Sequence, residues 1–216
     1  MKKKKKTQEE IFLESEGDKY FERCKGHLGQ VTVDPVSFLI DLYSLSPKSI
    51  IDIGCCNGWR LETLREKYKA KCVGVDASKS AIKSGRKSFH ELNLETCTIS
   101  DITISETFDL VMVVFVLHWA SRETLLKSLS EIDRLVKPGG YLIVGDFAPT
   151  VPTKNKYQHL LDEEVWTYKD FYASMFTSIG TYYEVAKLTT EYEDNSFSAK
   201  ALPESRSVYS LLKKDK

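Results

Sequence analysis

Asp52, Asp76 and Asp101 stand at or just past the ends of three short apolar segments, Ser49 to Ile53, Lys71 to Val75 and Cys97 to Ser100. An ionised carboxylate only accepts hydrogen bonds, so one such acid can hold two hydroxyl donors together. Asp76, at the end of the second segment, is where a doubly wound fold grips the hydroxyls of a ribose. Asp101 is placed to accept from an exocyclic adenine amine, with the Ile102 N–H donating to a ring nitrogen. An acid after a strand is also a turn former or helix cap, and for Asp101 that reading stands level with the first. Between the first strand and the next helix runs Gly54-Cys55-Cys56-Asn57-Gly58. Small residues in a strand-turn-helix let backbone N–H groups come close to a ligand. Together these features point to a ligand containing adenosine.

The turn also says which adenosine compounds fit poorly. A dinucleotide fingerprint needs G-x-G-x-x-G, and the middle and third glycines are missing here. That disfavours NAD. No G-K-[ST] follows, so the phosphate-cradling loop of an ATPase is absent too. A phosphate-free cofactor such as S-adenosylmethionine suits the turn.

The elements that must position these residues can be read from the pattern. Residues 8–30 are polar with Phe12, Tyr20 and Phe21 interspersed, which predicts a helical N-terminal cap. Asp34-Pro35 reads as an N-cap with proline at the first helical position, opening a helix to about Tyr43. Strands follow at 49–53, 71–75, 97–100 and 108–116, the last a continuous apolar run expected to be buried on both faces. Helices are expected at 58–68, 79–89 and 122–135. Lys137-Pro138-Gly139-Gly140 reads as a turn before a fifth strand, Tyr141 to Phe147. Alternating strands and helices argue for a parallel sheet covered on both faces. Two strand-like pieces, 182–192 and 207–212, with no helix between them, suggest an antiparallel pair at one edge. The aromatic-rich stretch of about 148–181 is long for a connection and reads as a lid.

Composition bounds the rest. The chain has 216 residues, enough for one substantial domain spanning 1–216. Its formal net charge is zero, which gives no electrostatic case for nucleic acid as a partner. The basic run Lys2 to Lys6 reads as a solvated terminus. Nothing apolar follows it at once, so no signal peptide is expected, and no apolar run is long enough to span a bilayer. Five cysteines without C-x-x-C spacing suggest reduced thiols and a cytoplasmic protein, with no metal expected. A monomer or homodimer fits equally.

In this order and spacing, IDIGCCNG (51–58), VGVDAS (73–78), SDI (100–102), FDLVMVVFVLHWA (108–120) and LVKPGGYLIVGDF (135–147) resemble the class I S-adenosylmethionine-dependent methyltransferases. The resemblance covers roughly Pro35 to Lys213. It implies an α/β, Rossmann-like fold with a seven-stranded, mostly parallel sheet in the order 3-2-1-4-5-7-6, strand seven antiparallel. It implies S-adenosyl-L-methionine as cofactor, S-adenosyl-L-homocysteine as product and a small-molecule acceptor. Gly54 and Phe115 would hold the methionine end, Asp76 with Ala77 the ribose, and Asp101 with Ile102 the adenine. Asp52, Cys55, Asn57 and Gly58 would complete the cofactor turn. One departure is Cys56, where the family usually has glycine. SEGDKYFERC (15–24) and WTYKDFY (166–172) are similar to small bacterial methyltransferases of capsule and surface-polysaccharide biosynthesis. That tilts the expected reaction toward O-methylation of a sugar or capsule-precursor group. The alternatives are N-methylation of a small amine, or a catalytically silent cofactor-binding partner subunit.

Methyl transfer to a hydroxyl benefits from a general base, worth roughly 10²–10⁴ in rate. His118, just past the fourth strand, is the candidate; the other reading is that it packs beside Trp119. On the acceptor side stand Trp119 and, from the expected lid, Tyr157, His159 and Tyr168. Tyr20 and Arg23 of the cap either close over the methionine carboxylate, where Arg geometry suits, or form a solvated helix face.

Overall fold

Thr7 opens the chain's first helix through a capping box: its hydroxyl accepts the Glu10 N–H, and the Glu10 carboxylate accepts the Thr7 N–H. The computed structural model describes residues 6–30 and 33–215. Lys2 to Lys5 of the basic run lie outside them. Helix α1 (Gln8–Ile11) continues through a π-helical turn, Phe12–Glu16, into α2 (Gly17–Cys24). This is the cap. Asp34 then caps α3 (Pro35–Leu42) by accepting the Ser37 N–H, with Pro35 at the first turn.

The core is built by β1 (Ser49–Ile53), α4 (Trp59–Tyr68), β2 (Lys71–Asp76), α5 (Lys79–Ser88), β3 (Asn93–Thr96), β4 (Phe108–Val114), α6 (Leu125–Leu135) and β5 (Val136–Phe147). A two-stranded hairpin of β6 (Thr153–Lys156) and β7 (Trp166–Lys169) follows. Then come α7 (Tyr172–Thr177), β8 (Tyr182–Glu191) and β9 (Arg206–Lys214). The main sheet has seven strands in the order β3-β2-β1-β4-β5-β9-β8. β1 to β5 are parallel, while β9 runs antiparallel to both β5 and β8. The expected sheet is therefore present, with the β6–β7 hairpin set apart from it.

Alternation along β4 shows why that strand reads as a continuous apolar run. Val111 and Val113 pack into the core on the α6–α7 face. Leu110 and Met112 pack into the core on the α3–α4–α5 face. Each face needs apolar side chains because each is covered.

Three segments differ from expectation. The third strand is Asn93–Thr96, pairing with Val73–Asp76, and not 97–100. The Cys97 N–H still bonds to the Asp76 carbonyl, but the Asp101 N–H turns back to the Thr98 carbonyl. The alternation of Cys97 and Ile99 marks a buried loop. Lys137–Gly140 is not a free turn but a bulge inside β5: Val136 pairs with Phe108 and Tyr141 with Leu110. Gly139 supplies the positive φ, 73°. Helix α6 begins at Leu125, after a turn at 121–124 in which the Thr124 N–H bonds back to the Ser121 carbonyl.

The aromatic segment after β5 splits in two. Tyr172 and Phe176 of α7 belong to the main core. The β6–β7 hairpin packs on the cap instead. Gln8 accepts the Trp166 N–H and donates to the Trp119 and Trp166 carbonyls.

Candidate cofactor and acceptor site

A cavity of about 260 Å³ opens at the carboxyl ends of β1, β2 and β4 and is roofed by the cap. Its floor is the turn after β1. The N–H groups of Gly54 and Cys55 both donate to the Val75 carbonyl, at 2.7 and 3.0 Å, which pins the turn to β2. Gly54 has φ 79°, and a Cβ there would meet Val116 Cγ2 at 2.1 Å. Only glycine fits this crossing. Cys56 and Phe115 take left-handed conformations without being glycine, with φ 54° and 55°. Both line the cavity, so two of the five such residues among those described sit at the candidate site.

Asp76 lines the cavity at the end of β2. Its Oδ2 accepts the Cys56 N–H at 2.8 Å and its Oδ1 the Ser78 N–H at 2.7 Å. Burial pushes its pKa up from the usual 3.8 to about 6, against the pull of those two hydrogen bonds. A carboxylate offers about four lone-pair sites, so two remain for hydroxyl donors. Ala77 and Ser78 continue the wall. The Ser78 hydroxyl and the Ser80 N–H both donate to Asp18 on α2, which ties the cap to the N-terminus of α5.

Asp52 acts through a neighbour. It is buried, lies off the cavity wall, and burial raises its pKa to about 7. Arg60 Nη1 is 3.8 Å from it, and Arg60 Nε donates to Asp34 at 3.1 Å. Arg60 itself lines the cavity. Two acids thus hold one cation against the ligand space. Sequence reading missed Arg60, although the signal was present. A basic residue in the first turn of a helix opposes the helix dipole and needs an acidic partner.

The cap supplies further wall: Glu9, Tyr20 and Cys24. The thiols of Cys24 and Cys56 both line the cavity, and their proximity lowers the pKa of Cys24 and raises that of Cys56. Arg23 does not reach the cavity. It donates to Glu16 at 2.6 Å and to the Tyr157 hydroxyl at 2.7 Å, and Tyr157 donates to the same Glu16 oxygen. This trio, with Glu16 and Tyr157 buried and Arg23 exposed, fastens the hairpin to the cap.

The other expected residues fall as follows. Gly54, Asp76, Ala77, Phe115, Trp119 and Tyr20 are on the wall. Cys55 points into the core. Asn57 and Gly58 shape the start of α4: the Asn57 side chain accepts the Trp59 N–H, and Gly58 is the left-handed N-cap. The Asp101 side chain is 85% exposed, 3.7 Å from Lys127. Ile102 is in the core, and its carbonyl accepts from Arg134. His118 is 4% exposed, with its ring against Phe115, Trp119 and Phe147. Tyr157 packs edge-on to Trp119, His159 is exposed beside it, and Tyr168 lies under Arg122. Thr98 and Ile99, which no motif marked, form wall in the loop after β3. Among the described residues no cluster of three metal-ligating side chains occurs, and no helix is long and apolar enough to cross a membrane.

Sheet order, glycine turn and acidic strand end define a class I S-adenosylmethionine-dependent methyltransferase fold, and residues 51–144 match the family described as a methyltransferase domain. The chain shares the fold of this class, and the domain match spans residues 51–144, under half of its length. A malonyl-[acyl-carrier protein] O-methyltransferase of Coxiella burnetii is 26% identical over 125 residues, 57% of this chain and 42% of that protein. The chain spans less than half the length of the curated relatives it matches. Among solved structures, a Burkholderia thailandensis 1,6-didemethyltoxoflavin N1-methyltransferase with bound 1,6-didemethyltoxoflavin and S-adenosylhomocysteine superposes with a TM-score of 0.72. It has 11% identity, over 95% of this chain and 88% of that one. The N-methyltransferase NodS of Bradyrhizobium japonicum, in complex with S-adenosylhomocysteine, gives 0.64 at 15% identity, covering 92% and 98%.

Proposed function

We propose that this chain is a methyltransferase that binds S-adenosyl-L-methionine in the cavity and methylates a small molecule. The observation that carries this is Asp76, a wall carboxylate with free acceptor capacity, set directly beside the close-approach turn at Gly54–Cys56. The residues fit the cofactor. Asp76 would take the ribose hydroxyls. Arg60 is the wall cation available to the methionine carboxylate, and the Gly54 and Phe115 backbones flank that end. When bound, the cofactor supplies a methyl group already activated on a sulfonium.

The protein's own part is to orient and to exclude water, and orientation can contribute about 7–11 kcal/mol to lowering a barrier. The cap closes the cavity, and Gln8, Glu16 and Arg23 fasten the hairpin to the cap. For a hydroxyl acceptor, the candidate base is His118, buried directly behind the wall residues Phe115 and Trp119. Its Nδ1 donates to Asp146, which leaves Nε2 as the lone-pair nitrogen. The sugar or capsule-precursor acceptor rests on the cap and hairpin motifs. N-methylation of an amine is the second reading, since N-methyltransferases are among the solved structures that share this fold.

Calorimetry with S-adenosylhomocysteine and with NAD tests the cofactor. Binding of NAD alone would end this reading. Transfer of labelled methyl to a panel of sugars and amines then separates O- from N-methylation.

A further inference from the structure

Glu9 is, with Asp76, one of two carboxylates on the cavity wall among the described residues. It is 9% exposed. Its Oε1 accepts the Ser121 N–H at 2.9 Å and the Thr124 hydroxyl. Its Oε2 is buried with no hydrogen-bond partner. A buried carboxylate oxygen without a donor is costly, and such an orphan on a cavity wall marks where a ligand donor belongs.

The cap places that oxygen along the cavity. Cys24 lines the cavity together with Cys56 of the glycine turn. Gly17 packs against the Ala77–Ser78 backbone at the end of β2. Glu9 sits at the other end, on the turn after Ala120. Ala120 and Ile99 share one packed cluster and both line the cavity. A ligand anchored at the turn and passing Asp76 therefore ends between the loops after β3 and β4, beneath Glu9. Asp101, the other acid of this region, faces solvent and Lys127.

We infer that Glu9 Oε2 accepts a hydrogen bond from the exocyclic amine of the cofactor's adenine, so that the cap reads the base. This rests on the cofactor reading above. The chemistry makes Glu9→Gln diagnostic. Glutamine keeps one oxygen, and the Ser121 N–H and Thr124 hydroxyl require it. The amide NH₂ then replaces Oε2 and opposes the adenine amine, donor against donor.

The test is calorimetry of the whole chain with S-adenosylhomocysteine and with S-inosylhomocysteine, whose 6-oxo group accepts where adenine donates. The unaltered protein should prefer the adenine compound by roughly tenfold or more, as for a hydrogen bond to a charged group. Glu9→Gln should lose or reverse that preference, and Asp101→Asn should keep it. Equal binding of both compounds by the unaltered protein overturns the inference, and does so even if the variant does not fold. A Glu9→Gln protein that retains the preference, or weakens for both compounds alike, also overturns it. Binding of neither compound by the unaltered protein rejects the cofactor reading itself.

Discussion

His118 Nδ1 lies 3.0 Å from Asp146 Oδ1, and Asp146 Oδ2 accepts the His118 backbone N–H at 3.2 Å. One carboxylate at the end of β5 therefore fixes both the ring and the main chain of the loop after β4. Asp146 Oδ1 also accepts the Phe147 N–H, so an acceptor faces Nδ1 and suits the tautomer with the proton there.

If His118 is the base, Asp146→Asn should lower turnover about as His118→Asn does, by roughly 10²-fold. S-adenosylhomocysteine affinity should change little in either variant, and the acid limb of the rate profile should vanish in His118→Asn. Steady-state kinetics against pH decides this. High residual activity in His118→Asn would make the ring a packing group between Phe115 and Phe147.

Asp76 predicts opposite pH trends for the free and bound protein. Its folded pKa is raised by burial from 3.8 to about 6. Its contribution to the stability of the free protein is thus full below about pH 4 and lost as pH rises through 6. Ribose hydroxyls need the ionised form, so S-adenosylhomocysteine affinity should rise across the same window. Asp76→Asn should flatten that rise and cost about 1.5–3 kcal/mol of binding at pH 8. Calorimetry from pH 5 to 8 measures both effects, and a variant profile parallel to that of the unaltered protein would assign the titration to another group.

Arg60→Met should destabilise the fold, because Asp52 and Asp34 then share no cation. Removing one partner of a buried pair costs about 3–5 kcal/mol. The loss should be smaller at pH 6 than at pH 8, since Asp52, with a pKa of about 7, can take up a proton. Adding Asp52→Asn should recover part of the loss. Urea unfolding of the four proteins at both pH values supplies the cycle. A loss equal at pH 6 and 8 would show that Arg60 acts by packing.

Cys56→Gly should stabilise the chain by about 1 kcal/mol, because Cys56 holds a left-handed φ of 54° that glycine adopts without penalty. The loop that supplies its N–H to Asp76 should keep its shape, leaving S-adenosylhomocysteine affinity within about twofold. A destabilised variant would show that the Cys24–Cys56 thiol contact outweighs the backbone strain.

The sequence alone determined the elements governed by short-range rules. Asp34-Pro35 marked a helix start, Gly54 and Gly58 marked the turn, and the alternation of apolar strand and amphipathic helix implied the parallel sheet. Periodicity and capping depend on neighbours a few residues away, so they are written locally. The acid at Asp76 was legible for the same reason, since it ends a strand whose place in the sheet the motif order gives. Tertiary structure decided what each remaining polar group faces. Asp101 and Glu9 are both acids near the cavity, yet one turns to solvent and the other onto the wall, through contacts to Lys127 and Ser121. Asp52 became the support of Arg60, and Arg23 was drawn away to Glu16 and Tyr157, 134 residues along the chain. The Arg23–Tyr157 pairing arises from packing between elements distant in sequence, and no local pattern records it. The buried loop at 97–100 and the bulge at 137–140 belong with it. Burial and register, which depend on the whole sheet, overrode the local signal of strand and turn.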